Sequence, residues 1–190
     1  VSRASTRRRA AYGAATLAAF AVAGCGGEAA PSPTTPVPVS ASSDAPSLTA
    51  EETEAQAAAL QAYDSFREVH VKASAGVKVD DTELVKYTAD PLTSELRYDL
   101  LVKSQQGIVT TGEPTWKATV TAVNVGKRPF SVKIEDCFDA TNWKSVFASS
   151  GEEAAVPGQA KKYLVEAEVI QYDDGRWLVQ SAKANRERPC

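Results

Sequence analysis

Between Thr49 and Gly107 the apolar residues recur at intervals of three and four; beyond Gly107 they alternate with polar ones. Ala59, Ala62, Tyr63, Phe66, Val69 and Ala73 share one face of a helix predicted over residues 50–73, and Thr49 with Glu52 forms a capping box at its start. Glu68 and Lys72 add an exposed pair in the favoured order along the same helix. Asp80 and Glu83 are placed to cap a short second helix bearing Leu84, Val85 and Tyr87. Asp90 caps a third, with Pro91 in its first turn, Leu92, Leu96 and Leu100 along one side, and Gly107 positioned to end it.

The alternating half predicts strands. Trp116, Ala118, Val120 and Ala122 alternate with Lys117, Thr119 and Thr121; Phe130, Val132 and Ile134 alternate with Ser131, Lys133 and Glu135, and Gly126 to Pro129 supplies the turn between the two runs. An irregular stretch containing Trp143 follows. Pro157-Gly158 then introduces a long strand from about Lys161 to Tyr172, and Asp174-Gly175 marks a tight hairpin into Arg176 to Ala184. Helices first and long antiparallel hairpins afterwards predict an α+β domain over residues 49–190, with three N-terminal helices packed on one face of the sheet.

The chain ahead of this domain has a different character. Arg3, Arg7, Arg8 and Arg9 form a basic stretch without acids, and Ala14 to Ala23 form an apolar run too short to span a bilayer, which needs about 20 residues. The run ends in Val22-Ala23-Gly24-Cys25, which resembles the lipobox of bacterial lipoproteins. That resemblance implies a signal peptide over residues 1–24, removed after Cys25 receives a diacylglyceryl group. It also implies a lipid-anchored protein on the extracytoplasmic face of the cell membrane. The arginine cluster looks somewhat like a twin-arginine export signal, although Ala10 and Ala11 stand where large apolar residues are expected. Residues 25–48 hold Gly26-Gly27, Pro31, Pro33, Pro36, Pro38 and Pro46 among many Ser, Thr and Ala, a composition that builds no core and predicts a disordered tether. Two or three acyl chains on one cysteine are enough for stable anchoring.

Charge and cysteine content narrow the partners. Loss of residues 1–24 takes the formal net charge from -3 to -7, and the remaining basic residues, such as Lys161-Lys162 and Arg186 to Arg188, are dispersed. Nucleic acid binding needs a clustered basic face, so it is not expected. If Cys25 carries lipid, Cys137 and Cys190 remain as an even pair in an oxidising compartment and are expected to form a structural disulfide. A redox-active pair is the alternative, but their distance in sequence provides no C-x-x-C arrangement to lower a thiol pKa.

The order of elements over residues 49–190 resembles the nuclear transport factor 2-like cone fold, also called ketosteroid isomerase-like or SnoaL-like. Asp136-Cys137-x-Asp139 followed by Trp143, the Asp174-Gly175-x-Trp177 hairpin and the terminal Cys190 are similar to small lipoproteins of actinobacteria that carry this domain. The resemblance implies a curved sheet wrapped around a long helix, with a pocket at the open end that some members use for catalysis and many use only for binding or assembly.

Candidate residues for such a pocket are Tyr63, His70, Tyr98 and Asp136, with Asp99 beside Tyr98. His70 is the single histidine and follows Phe66 on the first helix near its inner face, so it is either a core histidine or a general base. Continuing the alternation of Phe130, Val132 and Ile134 turns the Asp136 carboxylate inward, where desolvation would raise its pKa. A bulge beside Cys137 turns it outward, and this is the expected arrangement. The chain has no pair of histidines, no EF-hand-like loop, no G-x-S-x-G, no Walker loop and no dinucleotide fingerprint, so neither a metal nor a cofactor is expected. The leading expectation is a non-catalytic domain for assembly in the cell envelope, with an envelope protein or a second copy of the chain as partner. A carrier or sensor of a small apolar ligand comes next, and an isomerase-like enzyme using Asp136 or His70 comes last.

Overall fold

The computed structural model describes residues 47–154 and 156–190. The predicted signal peptide, the lipidation site Cys25 and nearly all of the tether lie outside the described residues.

Helix α1 runs over Ala50–Ala75. Its start is the expected capping box: Glu52 N donates to Thr49 Oγ1 at 3.2 Å, and Thr49 N donates to Glu52 Oε2 at 2.8 Å. Such a cap contributes about 1 kcal/mol. The hydrogen bonds from Thr49 also hold the Glu52 carboxyl below its usual pKa. Ala55, Ala59, Ala62, Tyr63, Phe66 and Val69 are buried along one side, and small alanines at the N-terminal end let the helix lie close to the sheet.

Among the described residues two α-helices form. The expected second helix is a single 3-10 turn at Leu84–Lys86. Asp80 Oδ1 accepts from Thr82 N, two residues on, which makes a local turn where a helix cap was expected. The chain must also extend at once, because Val179 N donates to Tyr87 O and Ala89 N donates to Val179 O. Helix α2 covers Leu92–Gln105, with Asp90 Oδ1 accepting from Ser94 N and Gly107 at φ 68 ending it.

Six strands follow among the described residues: β1 (Ile108–Thr111), β2 (Ala118–Asn124), β3 (Ser131–Asp139), β4 (Lys144–Phe147), β5 (Lys162–Gln171) and β6 (Trp177–Asn185). All pair antiparallel, β1 with β4 in a two-stranded sheet and the rest in a four-stranded sheet of order β2-β3-β5-β6. The fold is therefore α+β. β1 and β4 were not expected, because four residues are too few to display an alternation. They meet where Gly112, at φ 76, lets the backbone approach Asn142; a Cβ at Gly112 would stand 1.9 Å from the Asn142 carbonyl oxygen.

The inner face of the large sheet alternates as its sequence dictates. On β3, Val132, Ile134, Asp136 and Phe138 are buried, while Lys133 is exposed and Glu135 and Cys137 are half-buried on the other face. Ala167 and Val169 of β5 and Val179 of β6 join Val132 and Ile134 against Tyr63, Phe66 and Leu84. A second cluster at one end holds Phe138, Tyr163 and Val165, with Trp116 and Trp143 packed on it. Each large apolar side chain so buried contributes about 1.5–3 kcal/mol. On the opposite face Cys137 and Cys190 form a disulfide that spans 53 residues with Cα atoms 5.7 Å apart. The C-terminal tail is held there by Leu164 N donating to Arg188 O.

Candidate functional site

The alternation of β3 continues through Asp136 without interruption, and its register with β5 is regular from Ser131 to Asp139. Asp136 therefore points inward and is fully buried. The expected outward bulge beside Cys137 is absent; the irregularity in this part of the sheet falls between Val120 and Ala122 of β2 instead. The regular ladder to β5 on one side, and the hydrogen bonds that Lys117 and Cys137 exchange on the other, leave no slack for a bulge at Cys137.

Helix α1 brings two partners to this carboxylate. Tyr63 and Arg67 are one helical turn apart on the same face, both buried. The Tyr63 hydroxyl donates to Asp136 Oδ2 at 2.7 Å, and Arg67 Nη2 meets the same oxygen at 3.0 Å. Arg67 Nε donates to the Tyr63 hydroxyl at 2.8 Å, and Nη2 reaches that hydroxyl as well. The other carboxylate oxygen, Oδ1, accepts from Lys117 N at 2.9 Å. The Arg67 guanidinium also lies over aromatic rings, 4.6 Å from the Phe138 centroid and 4.9 Å from that of Tyr63. A buried charge left alone is expensive, and here each oxygen and the guanidinium find partners of matching chemistry.

One turn further along α1, His70 stacks on Phe66 at 5.8 Å between ring centroids and meets the edge of Trp143 at 5.7 Å. It is half-buried. Desolvation among these rings pushes its pKa down to about 3; the positive charges of Arg67 and Lys103 act in the same direction, and Asp99 opposes them weakly. The ring is thus neutral at physiological pH. The Tyr63 hydroxyl is pushed far up from its ordinary value, first by burial and then by Asp136, against the pull of Arg67, so it keeps its proton.

The structure brings Tyr63 and Asp136 into contact and sets His70 beside them, but it separates Tyr98. Tyr98 is 70 % exposed on α2, and Asp99 is engaged with Lys103 at 2.7 Å on the surface. Tyr98 lies on the arc of α2 opposite Leu92, Thr93 and Leu100, and Asp99, although seven residues after Leu92, is exposed, so neither candidate lines an interior space. Arg67 was not singled out from the sequence. Its signal was present, since it is the charged residue four positions after Tyr63 on an otherwise apolar arc.

Comparisons with known proteins add little. No family model matches the chain, and no curated protein matches it. Among solved structures, the crystal structure of the intermembrane space region of the chloroplast protein ARC6 is similar at 13% sequence identity and a TM-score of 0.46, covering 74% of this chain and 99% of that one.

The arrangement joins α1 to β3 through a network closed on itself. The Tyr63 hydroxyl both donates and accepts, and each oxygen of Asp136 is taken by a donor of the protein. Surface cavities lie elsewhere. One of about 380 Å³ sits on the outer face of the sheet among Lys133, Glu135, Glu166 and Lys183, and one of about 260 Å³ lies beside Trp116, Pro114 and Val71. Among the described residues no group of three or more His, Cys, Asp or Glu is placed to hold a metal ion, and no helix is long and apolar enough to cross a membrane.

Proposed function

We propose that this chain is a membrane-anchored extracytoplasmic lipoprotein whose domain is a nuclear transport factor 2-like cone serving assembly in the cell envelope without catalysis. Val22-Ala23-Gly24-Cys25 supports the anchor, and the Cys137–Cys190 disulfide is in keeping with an oxidising compartment. A 26-residue helix laid along the inner face of an antiparallel sheet supports the cone. The observation that carries the non-catalytic reading is the Tyr63–Arg67–Asp136 network. It lies in the interior beneath the sheet, and both Asp136 oxygens and the Tyr63 hydroxyl are engaged by groups of the protein itself. Recognition then falls to the surface.

Two measurements test this reading. Replacing Cys25 with alanine is expected to move the full-length chain from the detergent phase to the aqueous phase; unchanged partitioning sinks the anchor. Native mass spectrometry of the full chain, extracted from its own membranes, is expected to give a protein–protein complex of fixed stoichiometry. A reproducible small-molecule adduct on a single chain overturns the assembly reading in favour of a carrier.

A further inference from the structure

The two edges of the four-stranded sheet are treated differently. Along β6 the segment Tyr87–Ala89 covers part of the edge, exchanging backbone hydrogen bonds with Val179. Along β2 the outer edge has no strand beside it among the described residues. Exposed edges are ordinarily blunted by lysine, proline, an inward charge or a bulge, because free N–H and C=O groups recruit other strands; β2 has the bulge alone, between Val120 and Ala122. From Ala118 to Gly126 the sequence is Ala-Thr-Val-Thr-Ala-Val-Asn-Val-Gly, with neither a charge nor a proline.

The register shows which groups are free. Lys117 and Cys137 exchange hydrogen bonds in both directions, so Lys117 and, two residues on, Thr119 turn their backbone groups toward β3. Ala118 and Val120 therefore turn theirs away. The irregularity between Val120 and Ala122 shifts the phase by one, so Val123 and Val125 are the outward-turned residues in the second half. The side chains of Ala118, Val120, Val123 and Val125 all pack toward the core.

This pattern is complementary to itself. Two β2 strands placed antiparallel, with the two-fold axis between Thr121 and Ala122, set Ala118 opposite Val125 and Val120 opposite Val123, so that outward-turned groups meet outward-turned groups. The same placement sets Thr119 opposite Asn124 and Thr121 opposite Ala122 on the other face. Apolar faces apolar, polar or small faces polar or small, and Lys117 falls opposite Gly126. No like charges oppose one another.

We propose that β2 is the interface for a second copy of this chain, joining two four-stranded sheets into one of eight strands. The inference deepens the assembly reading and rests on it. Its test uses two variants of the full chain with Cys25 replaced by serine, one carrying Thr121→Glu and Ala122→Glu, the other Thr121→Lys and Ala122→Lys. Both positions are exposed, so each variant should keep the far-ultraviolet circular dichroism of the parent. In sedimentation at high micromolar concentration the parent is expected to run at twice the monomer mass. Each variant alone should lose that doubling, since like charges then meet across the axis, and an equimolar mixture of the two should regain it. A parent that stays monomeric, or variants that stay dimeric alone, overturn the proposal. A monomeric parent that still carries a different protein at fixed stoichiometry removes β2 as a self-pairing edge and leaves the assembly reading standing.

Discussion

Glu135 and Asp136 are neighbours on β3, and each carboxylate lies against an arginine. Asp136 faces inward, fully buried, 3.0 Å from Arg67. Glu135 faces outward, 3.6 Å from Arg188, which also reaches Glu166 at 2.9 Å. The outer three side chains keep between 39% and 53% of their exposure, so water screens them and competes for their hydrogen bonds. The inner pair has no such competition. Its two charges were stripped of water on folding, and the loss is offset only while both partners, the Tyr63 hydroxyl and Lys117 N–H are in place. The same functional groups, one residue apart, therefore have different consequences when removed. The inner network resists partial dismantling, and the outer one tolerates it.

The largest break in that comparison comes from the inner side. Asp136→Ala leaves the Arg67 guanidinium buried without its counter-charge, and urea unfolding is expected to show a loss of about 3–5 kcal/mol. Replacing the whole network at once, with Tyr63→Phe, Arg67→Met and Asp136→Leu, should cost much less than Asp136→Ala alone. An equal or larger cost would show that the network contributes net stability rather than merely being satisfied.

The outer face has one strong element, the disulfide. Cys137→Ser releases the tail that ends at Cys190, and the expected cost is about 2–4 kcal/mol, visible as a lower melting temperature. The parent treated with reductant should melt like the variant. A parent melt insensitive to reductant would contradict the stabilising role of the bond.

An intermediate effect is expected from pH. His70 has a folded pKa of about 3, below its unfolded value near 6.5, so the unfolded chain binds more protons between these limits. Its contribution is intact above about pH 6.5 and declines as pH falls toward 3. The urea midpoint of the parent should therefore drop between pH 7 and pH 5, and His70→Phe should reduce that drop. An identical decline in both proteins would assign the pH dependence to the carboxylates.

The smallest effect belongs to the outer pair. Glu135→Gln is expected to change stability by less than about 1 kcal/mol, and added salt should erase even that. A loss comparable to that of Asp136→Ala would abolish the distinction between the two faces.

Sequence alone determined the elements whose signals are local. The capping box at Thr49, the apolar arc of α1, the end of α2 at Gly107, the alternation of β3 and the β5–β6 hairpin at Asp174-Gly175 each follow from chain chemistry within a few residues. The alternation of β2, by contrast, holds only to Val120, after which a bulge leaves Ala122 exposed and turns Val123 and Val125 to the core. Cysteine arithmetic likewise paired Cys137 with Cys190. The short strands β1 and β4 are not legible in the sequence, because their partners are 33 or more residues apart and neither carries a pattern of its own. Tertiary structure alone decided the direction of Asp136 and the role of Arg67. Alternation turned Asp136 inward and a bulge could have reversed it; the regular ladder to β5 and the hydrogen bonds between Lys117 and Cys137 removed that freedom. Arg67 on an apolar arc is a contradiction within its own helix, and it is resolved only by a carboxylate 69 positions away. Local preference is written into consecutive residues, but the cost of burying a charge depends on what the rest of the chain brings to meet it.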